Sequence, residues 1–317
     1  GRAVARGGAG QQIPGYDSGS PGLTNADSGA RQLFTEDPSD PTDGLMPLNA
    51  DAITASELWA DITQNWSPAA SSATYAGATT AEQAKAINIL KWARGLQDDN
   101  STRNWLLGDP LHSRPRPINY GARTGAYSDT NPDIGILMGA NDGFVHMFRN
   151  TGAGGVQVGT ELWGYMPRAI IPQLDRLRNN AAGSPVHPIL VDGSAVTYSV
   201  DVDNDGTIEP SDGDTVIALI GLRRGGKAYY ALDVSDPDTP KFKWKIEKGV
   251  TGSDYAEMGQ SWATPNVGNM LVNGVDTPVF VIGGGYNGDD DGDDSGDLGK
   301  DAKNRSTRAG GTPSVGA

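Results

Sequence analysis

The chain contains 317 residues, of which 44 are glycine and none is cysteine, and its formal net charge is -14. The lack of cysteine excludes a disulfide scaffold and thiolate sites for zinc or iron–sulfur clusters, and the acidic excess argues against a nucleic-acid partner, because phosphates attract basic surfaces. No stretch reaches the roughly 18 consecutive apolar residues of a membrane-spanning helix, so we expect no transmembrane segment.

Residues 1–50 are predicted to form an irregular N-terminal segment. They are rich in Gly, Ser, Pro, Asp and Asn and carry few large apolar side chains, a composition that buries too little apolar surface to fold alone. The chain opens at Gly1-Arg2 without an initiator Met or a signal peptide. We therefore expect it to be a processed or excised piece of a longer protein.

Residues 51–104 are predicted to form a helical lead-in to the domain that follows. An apolar pattern of helical period covers residues 57–62, and a second, clearer helix begins at Thr79 or Thr80. The glutamate or glutamine three residues after each threonine completes a capping box. Gly95 provides a suitable C-terminal stop for this helix.

Residues 105–317 are predicted to form short β-strands separated by Gly, Asn, Asp and Pro turns. The Asn-Asp-Gly sequence at 141–143 lies between the apolar alternations Ile134–Gly139 and Phe144–Phe148, which is a strong hairpin signal. A looser copy of this pattern spans residues 216–233, and the start of a third spans 279–283.

Further strands carrying Trp163 and Trp244 follow the first two copies. This order is typical of four-stranded propeller blades of about 40–50 residues: a strand, a glycine turn, a second strand and then a strand with a tryptophan. The sequence therefore predicts a mainly β protein, a modified, quinoprotein-like β-propeller. From Leu106 onward there is room for about four or five such blades, so we expect a partial ring.

An acidic loop at residues 201–212 is the strongest functional signal. Carboxylates occupy loop positions 1, 3, 5, 9 and 12, glycine occupies position 6 and isoleucine position 8, which is the oxygen-donor spacing of EF-type calcium loops. The predicted Ca²⁺ ligands are Asp201, Asp203, Asp205, the carbonyl of Thr207, Glu209 and Asp212.

The flanks of this loop predict strands rather than the helices of an EF-hand. Residues 194–200 and 215–221 are rich in β-branched side chains and have strand length. A bound ion would therefore tie two strands together. The alternative is a solvated acidic turn, because Asp, Asn and Gly also favour turns.

Three other groups of residues were weighed as sites. The acidic run at 289–297 resembles the start of a second cation loop but lacks an acid at the twelfth position, so a flexible acidic insertion is the alternative. His112, His146 and His187 are interpreted as structural histidines. The basic turn at 223–227 is interpreted as neutralising nearby carboxylates, with contact to a partner as the alternative.

Several long motifs, in order along the chain, carry a family resemblance. They are Gly108–Pro115, Gly139–Phe148, Glu161–Pro167, His187–Gly193, Gly225–Pro237, and Met258–Pro265 leading to Gly283–Gly288. Together they resemble the carboxy-terminal domain of PilY proteins, which are large secreted factors of type IV pili. The resemblance covers about residues 86–290.

The resemblance implies a modified β-propeller with a calcium loop, without enzymatic activity, at the pilus tip or in the initiation complex. It implies that the protein promotes type IV pilus biogenesis, surface adhesion and twitching motility by opposing retraction. The implied partners are minor or major pilins and a host or surface target. The implied location is the cell surface at the pilus tip, with the outer membrane or periplasm as further compartments.

The family loop has an acid or amide at alternate positions over nine residues, which Asp201, Asp203, Asp205, Thr207 and Glu209 match here. The family more usually has Asp at the ninth position. Glutamate there leaves the last ligand open, with Asp212 as the competing candidate.

Two alternative functions remain open from the sequence. The repeated blade pattern with Trp163, Trp244 and Trp262 also resembles that of quinoprotein dehydrogenases, which stack a planar cofactor on tryptophan. The adjacent cysteines of many such enzymes are missing here, and the tryptophans are interpreted as blade-packing residues. The other alternative is an adhesin in which calcium serves structure only.

Overall fold

The computed structural model describes residues 9–11, 13, 31–37, 39–55, 57–101, 103, 106–152, 154, 157–179, 187–249, 254–256 and 258–285. The acidic run at 289–297 lies outside these residues. Among the helices of the described ranges, none combines the length and the apolar character needed to cross a bilayer.

Three α-helices lie between the second and third strands of the chain, and a fourth lies in a later connection. They are α1 (Ala50–Thr54), α2 (Trp59–Thr63), α3 (Thr80–Arg94) and α4 (Leu174–Asn179). The N-cap of α3 is Thr79, whose side chain accepts from the Glu82 amide while Glu82 bonds back to the Thr79 amide. Of the two predicted capping boxes, the one at Thr79 is confirmed. Gly95 ends the helix in the left-handed region at φ 103°, as predicted.

The first sheet has six strands. They are β1 (Leu33–Glu36), β2 (Leu45–Pro47), β3 (Arg116–Asn119), β4 (Ile134–Gly139), β5 (Val145–Thr151) and β6 (Gln157–Tyr165), in the order β2-β1-β6-β5-β4-β3. Strands β3 to β6 form an antiparallel meander, the arrangement of a propeller blade. The hairpin predicted around residues 141–143 is confirmed as β4–β5, which closes at Gly139 opposite Val145.

Two strands from the N-terminal segment extend this blade. Strand β1 pairs in parallel with β6, and the amides of Gly164 and Met166 donate to Gln32 and Phe34. The prediction of an irregular segment over residues 1–50 is therefore wrong at β1 and β2. The physical reason is that β6 presents unpaired backbone groups at the sheet edge, which β1 satisfies while Leu33 enters the core.

The second sheet is another four-stranded meander. Its strands are β7 (Val196–Val200), β8 (Thr215–Gly221), β9 (Ala228–Asp233) and β10 (Lys241–Glu247), in the order β10-β9-β8-β7. The looser hairpin predicted over 216–233 is confirmed as β8–β9. The third copy is predicted to begin with a strand at 279–283, and this is wrong: residues 279–281 end the second strand of a hairpin formed by β11 (Asn266–Val272) and β12 (Val275–Val281).

The described residues thus contain two blades and a hairpin, and the estimate of four or five blades is wrong for this part of the chain. The blades are spaced more widely than the predicted repeat because their connections are long. The segment between β6 and β7 includes α4, and the acidic loop separates β7 from β8. No closed ring of sheets is present among the described residues, in agreement with a partial propeller.

The two blades share one hydrophobic core. The indole Nε1 of buried Trp163 donates to Pro237 O at 2.8 Å, and Tyr120 Oη donates to Val234 O at 2.7 Å. The rings of Tyr165 and Tyr230 meet edge to face at 6.1 Å. Each contact joins one blade to the other. The loops before and after β8 lie at opposite ends of that strand. We name them the acidic-loop end (residues 201–214) and the opposite end (residues 222–227).

Candidate metal centre

The acidic loop connects β7 and β8, which pair as far as Val200 opposite Thr215. The predicted strand flanks are therefore confirmed. Because the loop starts and ends on paired neighbouring strands, any ion held within it would bridge those strands.

Three of the predicted ligands lie together. Carboxylate oxygens of Asp201, Asp203 and Asp205 lie within 4.8 Å of one another. Backbone conformation produces this clustering, since Asn204 and Gly206 both adopt positive φ, at 61° and 83°. Glycine enters that region without steric cost, and Asn tolerates it better than most residues.

Hydrogen bonds within the loop hold the carboxylates in place. Asp201 accepts from the Asn204 amide at 2.7 Å and from the Gly206 amide at 2.9 Å. Asp205 accepts from the Thr207 amide at 2.7 Å. These are local Asx-type turns, so the acidic side chains converge even though they carry like charges.

The charge cluster has an electrostatic cost. Desolvation within the loop, followed by the neighbouring Asp205 charge, raises the pKa of Asp203 above its ordinary value. A divalent cation with oxygen ligands would remove this repulsion. The donor set of carboxylates and backbone carbonyls suits a hard ion such as Ca²⁺.

The remaining predicted ligands lie outside the three-acid group. Thr207 follows two residues after Asp205, and only its backbone carbonyl is a predicted ligand. The Glu209 amide donates to Asp214, and Glu209 O accepts from the Asp212 amide at 3.0 Å. Asp212 is exposed and closes a short 3-10 turn, Pro210–Asp212. The structure therefore leaves open which of Glu209 and Asp212 would complete the site.

One important acid was missed from the sequence. Asp214 is buried and its carboxylate accepts from the amides of Val202 at 2.7 Å and Glu209 at 3.0 Å. These two hydrogen bonds lower its pKa. Asp214 thus ties the two halves of the loop together. The twelve-residue ligand template ends at Asp212, so it gives no signal for this residue.

The loop also contacts the first blade. The amide of buried Ile208 donates to Tyr120 O at 3.0 Å. Gly121, at φ 74°, packs so closely that a Cβ there would lie 2.4 Å from Gly206 O. An ion that orders the loop would consequently support the junction between the blades as well as the β7–β8 pair.

The histidines have structural partners, as predicted. His146 is fully buried, with Nδ1 2.7 Å from Glu161 and Nε2 3.1 Å from Asp142. His187 Nδ1 lies 2.9 Å from Pro188 O. His112 Nδ1 lies 2.8 Å from Asp192 and orders the turn before β3.

The three tryptophans differ. Trp163 is buried in the blade core, and Trp244 packs on Phe280 at 6.0 Å, as the blade-packing interpretation requires. Trp262 is 39% exposed, so the interpretation is wrong for this residue. It follows Ser261, which forms an isolated bridge with Arg223, and the Arg223 guanidinium lies 5.2 Å from the centre of its ring. The buried ring of Trp163 offers no open face for a stacked cofactor.

The fold and loop together define a partial β-propeller domain with a candidate cation site between its blade strands. Residues 112–301 match a family profile described as the PilY1 beta-propeller domain. The match covers more than half of the chain, and the chain belongs to this family.

Several relatives support the same assignment. The chain is 31% identical over 207 residues to the type IV pilus biogenesis factor PilY1 of Pseudomonas aeruginosa strain PAO1, covering 60% of this chain and 16% of that protein. It is 26% identical over 212 residues to a PilY1 homolog of Xylella fastidiosa, covering 60% of this chain and 16% of the homolog. The chain thus spans a small part of the length of these relatives.

The crystal structure of the Pseudomonas aeruginosa PilY1 C-terminal domain is similar at 23% identity, with a TM-score of 0.32. The similarity covers 55% of this chain and 31% of that one.

Proposed function

We propose that this domain is the calcium-binding propeller of a type IV pilus biogenesis factor. The observation that carries the proposal is the convergence of Asp201, Asp203 and Asp205 on a loop that contacts both blades. Family membership and the names of the relatives support the pilus role. The domain would act without catalysis, by presenting a rigid surface.

In this proposal Ca²⁺ is held by Asp201, Asp203, Asp205, the carbonyl of Thr207 and either Glu209 or Asp212. The ion neutralises repulsion among the acids and lowers the free energy of the closed loop. Because Ile208 and Gly206 of this loop contact the first blade, ion binding stabilises the blade junction together with the loop.

At the level of the cell, the proposal is that the calcium-bound domain promotes pilus assembly, surface adhesion and twitching motility by opposing retraction. Its partners would be minor or major pilins and a host or surface target, and its place would be the cell surface at the pilus tip. Reversible ion binding shifts the population of the closed loop, which gives a route to regulation.

The experiment is calcium binding followed by isothermal titration calorimetry and by thermal unfolding in CaCl₂ or EDTA. At a free calcium concentration of 100 times Kd, binding stabilises the folded state by about 2.7 kcal/mol. We expect D201A and D205A to abolish this stabilisation, and an exposed control, D129A, to retain it. Comparing E209A with D212A identifies the last ligand.

The wild-type protein melting at the same temperature in CaCl₂ and EDTA would overturn the calcium proposal. For the motility step, the variants are placed in the full-length parent protein and retraction is measured at several calcium concentrations. Calcium that stabilises the domain but leaves retraction unchanged would show that the ion serves structure only.

A further inference from the structure

A second surface lies at the opposite end of β8 from the acidic loop. Strand β8 is seven residues long, which places its ends roughly 20 Å apart. At this opposite end, the turn after β8 brings Arg223 and Arg224 beside His112 and Trp262. We name these four residues the arginine patch.

Buried Asp192 is the centre of the arginine patch. One of its oxygens lies 2.8 Å from His112 Nδ1, and the other lies 3.3 Å from Arg224 Nε and 3.7 Å from Arg223 Nε. Asp192 itself is fully buried. The ion pairs that the described residues form with both arginines go to this one carboxylate.

The arrangement carries more positive charge than the buried acid requires. One guanidinium would neutralise Asp192, whereas two are present. The side chains of Arg223, Arg224 and His112 are 28%, 37% and 52% exposed. A guanidinium has five N–H donors. Arg224 directs Nε to Asp192 and one Nη to His112 Nδ1 at 3.4 Å, so the two partly exposed side chains carry more donors than these contacts use. The interpretation that this turn neutralises a carboxylate is correct but leaves this surplus unexplained.

The patch is held in a fixed conformation. Arg223 adopts φ 52°, a region that a non-glycine residue rarely occupies, and such strain is found preferentially at functional sites. The Ser261 hydroxyl accepts from the Arg223 amide at 3.2 Å, and the Arg223 guanidinium lies 5.2 Å from the centre of the Trp262 ring. A Cβ at Gly225 would lie 1.5 Å from Leu190 O, so the turn packs directly on the segment that carries Asp192.

We propose that the arginine patch binds a short acidic peptide segment of a partner protein. Arginine forks match the geometry of carboxylates, and prior fixing of the side chains lowers the entropy lost on binding. The exposed ring of Trp262 offers apolar contact to a residue beside the carboxylate. The rest of the chain is strongly acidic and would repel an extended polyanion, whereas a segment with one or two carboxylates needs only the patch.

The test is fluorescence anisotropy with a labelled peptide that carries two adjacent glutamates flanked by Leu and Gly-Ser. We expect saturable binding that is lost when the glutamates are replaced by glutamines, and that weakens when NaCl is raised from about 50 to about 500 mM. The double variant R223Q/R224Q is expected to lose about tenfold or more in affinity.

The matched control is K241Q/K243Q, which removes the same two charges from β10 of the same blade. It is expected to bind within about twofold of wild type, because charges outside a contact change affinity little. Circular dichroism and thermal unfolding identify any misfolded variant. If R223Q/R224Q misfolds, the single variant R224Q, which keeps the contacts of Asp192 with Arg223 and His112, is measured in its place.

Equal binding of the glutamate and glutamine peptides, or equal loss in both double variants, would overturn the proposal. Binding of a uronate oligosaccharide or of inorganic phosphate with no binding of the peptide would also overturn it. The measurement is repeated in EDTA. Because the arginine patch and the acidic loop lie at opposite ends of β8, peptide binding is expected to persist in EDTA. Failure of the calcium proposal and failure of this one are therefore distinguishable.

Discussion

At the scale of single residues, a buried chain of alternating charges stabilises the first blade. His146 lies between Asp142 and Glu161, and Arg31 makes two hydrogen bonds of 2.7 Å to Glu161. Burial alone would lower the pKa of His146, but the attraction of Asp142 and Glu161 outweighs it and raises the pKa to about 9. The imidazole is therefore a cation in the core at neutral pH.

This network makes stability depend on pH in a direction that can be worked out. The pKa of His146 is raised from 6.5 when unfolded to about 9 when folded, so its contribution is complete below pH 6.5 and is lost as the pH rises through 9. Burial would raise the pKa of Glu161, but Arg31 and His146 lower it to about 2. The Glu161 contribution is therefore present above pH 4.5 and lost as the pH falls through 2.

We expect His146→Gln to remove the loss of stability that the wild type shows at alkaline pH. Between pH 6 and 9.5 the free energy of unfolding of the wild type should fall by roughly 3 kcal/mol from this group, and that of His146→Gln should change much less. Urea unfolding at each pH measures both. His187→Gln, at an exposed histidine, is the control and should follow the wild type. The same fall in His146→Gln as in the wild type would contradict the assignment.

At the scale of elements, the acidic loop depends on a contact with the segment after β3. Gly121 and Gly125 both adopt positive φ, at 74° and 65°, but only Gly121 has a neighbour at the place a Cβ would occupy. That neighbour is the backbone of Gly206 and Thr207, which cannot rotate away as a side chain would.

Gly121→Ala is therefore expected to weaken calcium binding, and Gly125→Ala is the matched control. Both substitutions pay the cost of a left-handed alanine, about 1 kcal/mol. Only Gly121→Ala also displaces the acidic loop from the first blade, so it alone should raise the Kd for calcium in a titration. Equal calcium affinities in the two variants would show that the loop does not need this contact.

The elements that the sequence predicts well are those with local signals. The capping box at Thr79, the stop at Gly95 and the hairpin at 141–143 each depend on residues a few positions apart. In the loop, the clustering of Asp201, Asp203 and Asp205 also follows from local spacing.

The features that the sequence does not predict depend on distant partners. Strand β1 forms because β6 has a free edge, and the two are far apart along the chain. Asp214 is buried because the amides of Val202 and Glu209 point to it, which a ligand template does not encode. Trp262 is exposed beside Arg223, a neighbour that is distant in the sequence. The predicted number of blades was too high because local sequence patterns do not determine the length of the segments that connect strands.

At the scale of the whole molecule, Arg31 joins the N-terminal strands, helix α3 and the first blade. Its guanidinium is buried, pairs with Glu161 on β6, and donates to Arg94 O at the end of α3 at 3.0 Å. Arg94 in turn donates to Leu48 O at 2.8 Å. Strands β1 and β2 are thus part of the folded core, although the composition of residues 1–50 predicts an irregular chain.

We expect Arg31→Gln to destabilise this region by about 3–5 kcal/mol, because it leaves Glu161 as a buried charge without its guanidinium partner. Hydrogen exchange followed by mass spectrometry should show lost protection in β1 and at the β6 amides that pair with it, with smaller changes in β8 and β9. The control is Arg116→Gln, since exposed Arg116 makes a side-chain bond of 2.9 Å to Thr197, and it should cost less than about 1 kcal/mol. Full protection of β1 in Arg31→Gln would mean that backbone pairing with β6 alone holds the N-terminal strands, and that the buried ion pair is dispensable for joining the segment to the propeller.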